Sequence, residues 1–249
     1  VSLSETKDKD PQEESSMMIR ALTLAVGLAA ASSAHAGFVG WDMRVDADAT
    51  ANAQGVAGLA GATVYRMYAV FDDADNVVVN VFNANFSTTN GGTLFQSGPP
   101  FGGNVAPNSG FFGFDATLRY DSFVTIGEES NLGSTSVITD PDFAWAAGGV
   151  AAGGWANSSP PNLLGASVQN GSVWETLVGQ FTVLGGTREI PGPTTNADGN
   201  WNGLAGITFN KGIGTTTVQL AEQGFIPTPG AMALFGIAGL TASRRRRSA

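Results

Sequence analysis

The sequence predicts an all-β protein, folded as a β-sandwich or jelly roll, and three observations carry that expectation. Glycine supplies 34 of the 249 residues, about twice the usual share of ~7%. Charged side chains make up only 13%, against a usual ~25%, which argues against helical bundles and coiled coils. Runs of β-branched and aromatic residues recur along the chain and are separated by glycine- and proline-rich stretches, the pattern of many strands joined by turns. A hydrophobic fraction of 43%, with 15 Phe and 5 Trp, is enough for a packed core and argues against disorder.

Taken in order, the first strand is expected from Phe38 to Val45. Ala47 to Ala60 is rich in small residues and ambiguous, fitting a helix or an irregular segment. Thr63 to Phe71 and Asn76 to Phe86 are two strong strand patterns, and the acidic turn Asp72-Asp73-Ala74-Asp75 between them reads as a hairpin. Further strands are expected at Phe111 to Tyr120, Ser122 to Ile126, Trp174 to Leu184, Gly203 to Asn210 and Thr215 to Leu220. The pairs Gly91-Gly92, Gly102-Gly103, Gly148-Gly149, Gly153-Gly154 and Gly185-Gly186 mark surface loops. No fixed repeat period is visible. The body, residues 37–225, reads as one domain.

The two ends are different in kind. After a polar leader over residues 1–16, read as translation upstream of the working protein, Met17-Met18 and Arg20 precede an apolar run from Ala21 to Ala31. The run is followed by Ser32-Ser33-Ala34-His35-Ala36, which places small residues at Ala34 and Ala36 before Gly37. That is the order of a secretory signal peptide with an A-x-A cleavage site, so residues 17–36 are expected to be removed. At the other end Pro227-Thr228-Pro229 leads into an apolar helical stretch from Ala231 to Ala242, closed by Arg244-Arg245-Arg246-Arg247. From Phe225 to Ser243 the segment has 19 residues, close to the ~20 a transmembrane helix needs. The arginines would hold its end on the cytoplasmic face and leave the body outside.

The tail, residues 226–249, closely resembles the PEP-CTERM sorting signal of exported bacterial proteins: a Pro-x-Pro motif, a short transmembrane helix and a terminal arginine cluster. Here Thr228 stands where that family usually has Glu. The resemblance implies transient anchoring in the inner membrane, recognition by an exosortase, removal of the tail and delivery to the cell surface or the extracellular matrix. Val64 to Phe86, Leu118 to Gly127 and Leu177 to Val183 also resemble parts of a family of exported bacterial β-domain proteins, a likeness that implies no activity.

Removing both ends changes the charge. The whole chain carries 12 Lys and Arg against 21 acids, a net −9. The body keeps only Arg44, Arg66, Arg119, Arg188 and Lys211 against 16 acids, a net −11. Such a body repels polyanions, which excludes nucleic acid as an expected partner.

The chemistry open to the body is narrow. The one histidine, His35, lies in the signal peptide, and there is no cysteine. Serine triads, thiol nucleophiles and His or Cys metal sites therefore drop out, and no phosphate-binding loop occurs. Among the acids, Asp121, Glu128, Glu129, Glu175 and Glu189 are candidates for a glycosidase pair, although solvated loop charges are the plainer reading. Asp72, Asp73 and Asp75 are candidate calcium ligands, because closely spaced turn carboxylates suit a hard cation; Asp46 with Asp48 and Asp140 with Asp142 are weaker versions. No other cofactor is expected. Trp145 and Trp155 flank the loop Ala146 to Gly154 and are candidates for stacking on sugar rings, weighed against pinning that loop to the core. The expectation is thus a non-catalytic, surface-associated structural or interaction protein. Its rival is a carbohydrate-binding module or a carboxylate-dependent enzyme acting on polysaccharide.

Overall fold

A computed structural model describes residues 37–88, 91–185, 201–212 and 217–225. Its strands are β1 (Phe38–Val45), β2 (Ala62–Phe71), β3 (Asn76–Thr88), β4 (Thr93–Leu94), β5 (Phe123–Val124), β6 (Val137–Thr139) and β7 (Ala144–Ala146), then β8 (Gly149–Ala152), β9 (Trp155–Asn157), β10 (Val168–Asn170), β11 (Val173–Leu184), β12 (Trp201–Lys211) and β13 (Thr217–Gln223). One α-helix, α1 (Ala47–Gln54), lies among the described residues, with short 3-10 turns at Ser109–Phe111, Ala116–Tyr120 and Pro160–Asn162. The described chain is all-β in character. The described residues belong to one unit that begins at Gly37.

The strands form two antiparallel sheets. The first has six strands, ordered β1-β2-β11-β10, with β4 and β5 also pairing with β11. The second has seven, ordered β13-β12-β3-β8-β7, with β9 linking β3 to β6. Side chains alternate along each strand, so Trp41 and Met43 of β1 are buried while Asp42 and Arg44 turn to the other face. The inward faces share one core. Phe71 of the first sheet meets Phe209 of the second at 5.2 Å between ring centroids, and Phe181 meets Trp201 at 5.1 Å. The Trp41 indole N–H donates across the sheets to the Ala205 carbonyl at 3.2 Å. The backbone N–H of Trp41 bonds to the Gly224 carbonyl at 3.3 Å, which brings the first strand beside the end of the described chain.

β1 falls where the sequence places it, and β2, β3, β11 and β12 differ from expectation by a few residues at their ends. Other expectations are corrected. The turn Asp72 to Asp75 does not close a hairpin; it carries the chain from one sheet to the other. Both edges of β2 are already taken, by β1 and β11, while β3 pairs with β12, β8 and β9. Phe111 to Tyr120 is not a strand, because Asn108 and Asp115 accept the N–H groups of Gly110 and Thr117 and wind the backbone into 3-10 turns. Of the segment expected as a strand at Ser122 to Ile126, strand geometry covers Phe123–Val124; the last described strand runs Thr217–Gln223, past the expected end at Leu220, with residues 215 and 216 outside the described residues. The segment Ala146 to Gly154, read as a loop, contains most of the β7-β8 hairpin.

That hairpin lies against β3 through Phe86↔Val150 and Ser87↔Gly149. A Cβ on Gly149 would collide with the Phe86 carbonyl, so the close approach requires glycine there. α1 is capped by Asp46, whose side chain accepts from Ala49 N at 2.8 Å, and at its other end by Gly55. It covers the outer face of the first sheet, where Ala53, Leu59, Ala62 and Val64 form a second, smaller core. Among the described residues no helix is long and apolar enough to cross a membrane.

With no disulfide to hold it, the fold depends on these packed contacts. Gly149→Ala is expected to lower stability by about 1–3 kcal/mol, the range for overpacking a tight site. Chemical denaturation of the full chain beside the variant measures the loss.

Candidate functional site

The outer face of the first sheet sets two like charges side by side. Arg44 of β1 and Arg66 of β2 are directly opposed, and Gln180 of β11 opposes Arg66 from the other edge. Opposed cations on neighbouring strands repel, and each arginine here is held by two carboxylates. Arg44 pairs with Asp42 at 2.9 Å and with Glu175 at 2.5 Å, and its guanidinium lies 4.1 Å over the Tyr68 ring. Arg66 pairs with Asp46 through Nε at 2.8 Å and with Glu129 through Nη1. Burial works to lower both guanidinium pKa values. The hydrogen bonds and charges of the carboxylates, Glu175 first for Arg44 and Glu129 first for Arg66, overcome it and raise both.

Around Arg66 the fold leaves a cleft of about 360 Å³. Arg66 and Gln180 form its floor; Asp46, Asp48 and Asn52 line it from α1, and Glu129 and Ser130 from the following loop. Arg119, Tyr120 and Phe112 close the remaining side. Gln180 ties that side down by donating to the carbonyls of Arg119 and Asp121, each at 3.0 Å. Gly127 N–H donates to the Leu177 carbonyl at 2.8 Å and seats the loop that carries Glu129. At Gly127, φ is +79° and a Cβ would strike the Leu164 carbonyl, so no other residue fits. The Arg119 guanidinium lies 5.0 Å over the Phe112 ring, and among the described residues no carboxylate pairs with it.

The turn that supplies Phe112 also carries an exposed aromatic group. Phe101 and Phe111 rings lie 4.5 Å apart, and Phe111 and Phe114 lie 6.5 Å apart. Phe114 is 84% exposed, and Leu132 on the neighbouring turn is 92% exposed. Ser109 N–H donates to the Asn131 carbonyl at 2.9 Å, and Asp115 N–H donates to the Phe111 carbonyl at 3.0 Å, so the rings stand on a hydrogen-bonded platform. The Phe-Phe-Gly-Phe run at 111–114 was the available signal. Its aromatic content matches a buried strand equally well.

The residues singled out from the sequence are scattered. Trp155 is fully buried, donating its indole N–H to the Thr125 carbonyl at 2.8 Å, so it offers no face to a sugar. Trp145 is half-buried against Phe143 and Phe181 and donates to the Asn104 side chain at 2.8 Å. Asp72, Asp73 and Asp75 lie in the turn between β2 and β3. The Asp73 carboxylate accepts from Asp75 N at 3.1 Å and Asn76 Nδ2 at 2.6 Å and faces Lys211 at 3.6 Å, and no group of three acidic or His/Cys side chains fit for a metal occurs among the described residues. Of the carboxylate candidates, Glu128 accepts from Thr135 Oγ1 at 2.5 Å, while Glu129 and Glu175 are held by arginines. Asp46 and Asp48, taken from the sequence as a weak cation pair, instead line the Arg66 cleft. Gly37 is described and buried, with its carbonyl accepting from Asp72 N at 2.9 Å. Ala34, Ala36, Glu189, Pro227, Thr228, Pro229 and Arg244 to Arg247 lie outside the described residues. No family model matches the chain, and neither a curated protein nor a solved structure is significantly similar to it.

Asp121 is buried beneath the loop beside the cleft, its Oδ1 accepting from Ser97 N at 2.7 Å. Burial pushes its carboxyl up to about 7, against backbone N–H groups of Ser97, Gly103 and Ser122 that favour the charged form. The unfolded chain loses this proton near pH 4 and the folded chain holds it to near pH 7. Stability from Asp121 is therefore full below about pH 4 and gone above about pH 7. Asp121→Asn is expected to flatten the fall in melting temperature between pH 4 and 7, as a thermal-melt series reads directly. Arg44→Ala leaves Glu175 buried without its cation. The expected cost is about 1–3 kcal/mol, less than for a fully buried pair because Arg44 reaches solvent, and a denaturation midpoint measures it.

Proposed function

We propose that this protein is a non-catalytic, exported β-sandwich that works at the cell surface or in the extracellular matrix through interaction or structure. One observation carries the non-catalytic reading. The described carboxylates that the sequence offered for sugar-bond chemistry are held by other groups or closed off: Glu129 and Glu175 pair with arginines, Glu128 accepts from Thr135, and Asp121 is buried out of reach of a polymer. A hydrolytic pair needs two carboxyl groups facing one bond, one of them free to give a proton.

Export rests on the order of the two ends. The signal-peptide pattern ending at Ala36 and the Pro-Thr-Pro, apolar and arginine segments after residue 226 support passage by signal peptidase and then an exosortase-type system. The partners in transit are those two enzymes and, briefly, the inner membrane. The body's net −11 argues against nucleic acid as a partner.

The mature product is expected to begin at Gly37 and to end close to Thr228. Intact-mass analysis of protein recovered from the native cell surface tests this, and a species still carrying residues 231–249 would mean a permanent membrane anchor. Replacing Arg244 to Arg247 with Ser is expected to reduce correct processing and leave the melting temperature of the body unchanged.

A further inference from the structure

We propose that the Phe101-Phe111-Phe114 platform and the adjoining Arg66 cleft together form a binding site for a neutral polysaccharide. The inference rests on the reading of the body as an extracellular interaction domain and names its ligand.

Three observations carry it. The first is exposure without a partner: Phe114 is 84% exposed and stands in a group of three rings, while the chain keeps Trp41, Trp155 and Trp201 buried. Apolar surface held in water on a hydrogen-bonded turn marks an interaction site. The second is juxtaposition. Phe112, beside Phe111 and two residues before Phe114 in the chain, lines a cleft of about 360 Å³ whose polar lining includes Asp48, Asn52, Arg119 and Tyr120. A sugar ring has an apolar C–H face and a polar hydroxyl edge, and the platform and polar lining match these in turn. The floor is fixed in advance, because Arg66 is clamped between Asp46 and Glu129 and needs no reordering when a ligand arrives.

The third observation is charge. The cleft is lined by three carboxylates and two arginines on a body of net −11, so a polyuronate or an anionic membrane is repelled where an uncharged polymer is not. A membrane-inserting patch would be ringed by cations. Here Arg119 is the nearest cation in the sequence to Phe114, and its guanidinium is stacked on Phe112.

Affinity electrophoresis of the full chain, in gels containing dextran, a β-glucan, a galactomannan or alginate, tests the proposal. Retardation is expected in at least one neutral gel and not in alginate. Phe114→Ala and Arg119→Ala change exposed side chains, so each should keep the parent melting temperature while weakening retardation about tenfold, as for the loss of a contact at the centre of a binding surface. Asn202→Ala, on the outer face of the other sheet, should bind as the parent does. No retardation in any neutral gel, retardation by alginate alone, or full retardation of both variants would overturn the proposal. Self-association of the parent that disappears in Phe114→Ala, with no polysaccharide bound, would show instead an interface between two copies of this chain. Export is read independently by intact mass, so a negative result here leaves the processing reading standing.

Discussion

The outer face of the first sheet is organised by one electrostatic constraint: two arginines, Arg44 and Arg66, stand opposite each other on neighbouring strands. Left alone they would push β1 and β2 apart. The carboxylates that neutralise them come from different stretches of chain, and each brings its surroundings along. Asp46 fixes the start of α1 and so the roof over the second core. Glu129 draws in the loop after β5, and Glu175 binds β11 and Asn170 of β10 to the arrangement. The cleft is the space left between groups that had to converge for charge reasons.

Much of the fold was legible because the long strands carry their own signal. β1, β2, β3, β11 and β12 are runs of β-branched and aromatic residues, and in β1 and β2 the alternation of buried and outward side chains follows the sequence pattern. Pairing was less legible. Two strands joined by a four-residue acidic turn look like a hairpin from sequence, and only the competition of β1 and β11 for the edges of β2 makes the turn an arch. The run Phe111 to Tyr120 shows the same limit locally, since its aromatic content suits a strand while Asn108 and Asp115 bind nearby backbone N–H groups and win.

The candidate site was legible in its ingredients and not in its assembly. Asp46, Asp48 and Glu129 were visible as acids of interest, but nothing in their spacing says that they share a cleft with an arginine from β2. Of the two roles the sequence left open for the tryptophans, Trp155 takes the pinning one: the neighbouring glycines let a hairpin lie close to β3, and the ring is fully buried. Among the described residues the exposed aromatic side chains are Phe101 and Phe114.

The bonds from Trp41 to Ala205 and Gly224 have a kinetic meaning. The first strand completes its contacts only with the last part of the described chain, so a closure spanning nearly all the described residues must form before the core is sealed. A chain emerging N-terminus first can pair β1 with β2 early, but the Trp41 indole stays without its Ala205 acceptor until β12 has followed. The core therefore seals late in the order of the chain, a form of timing written into the topology and needing no other device.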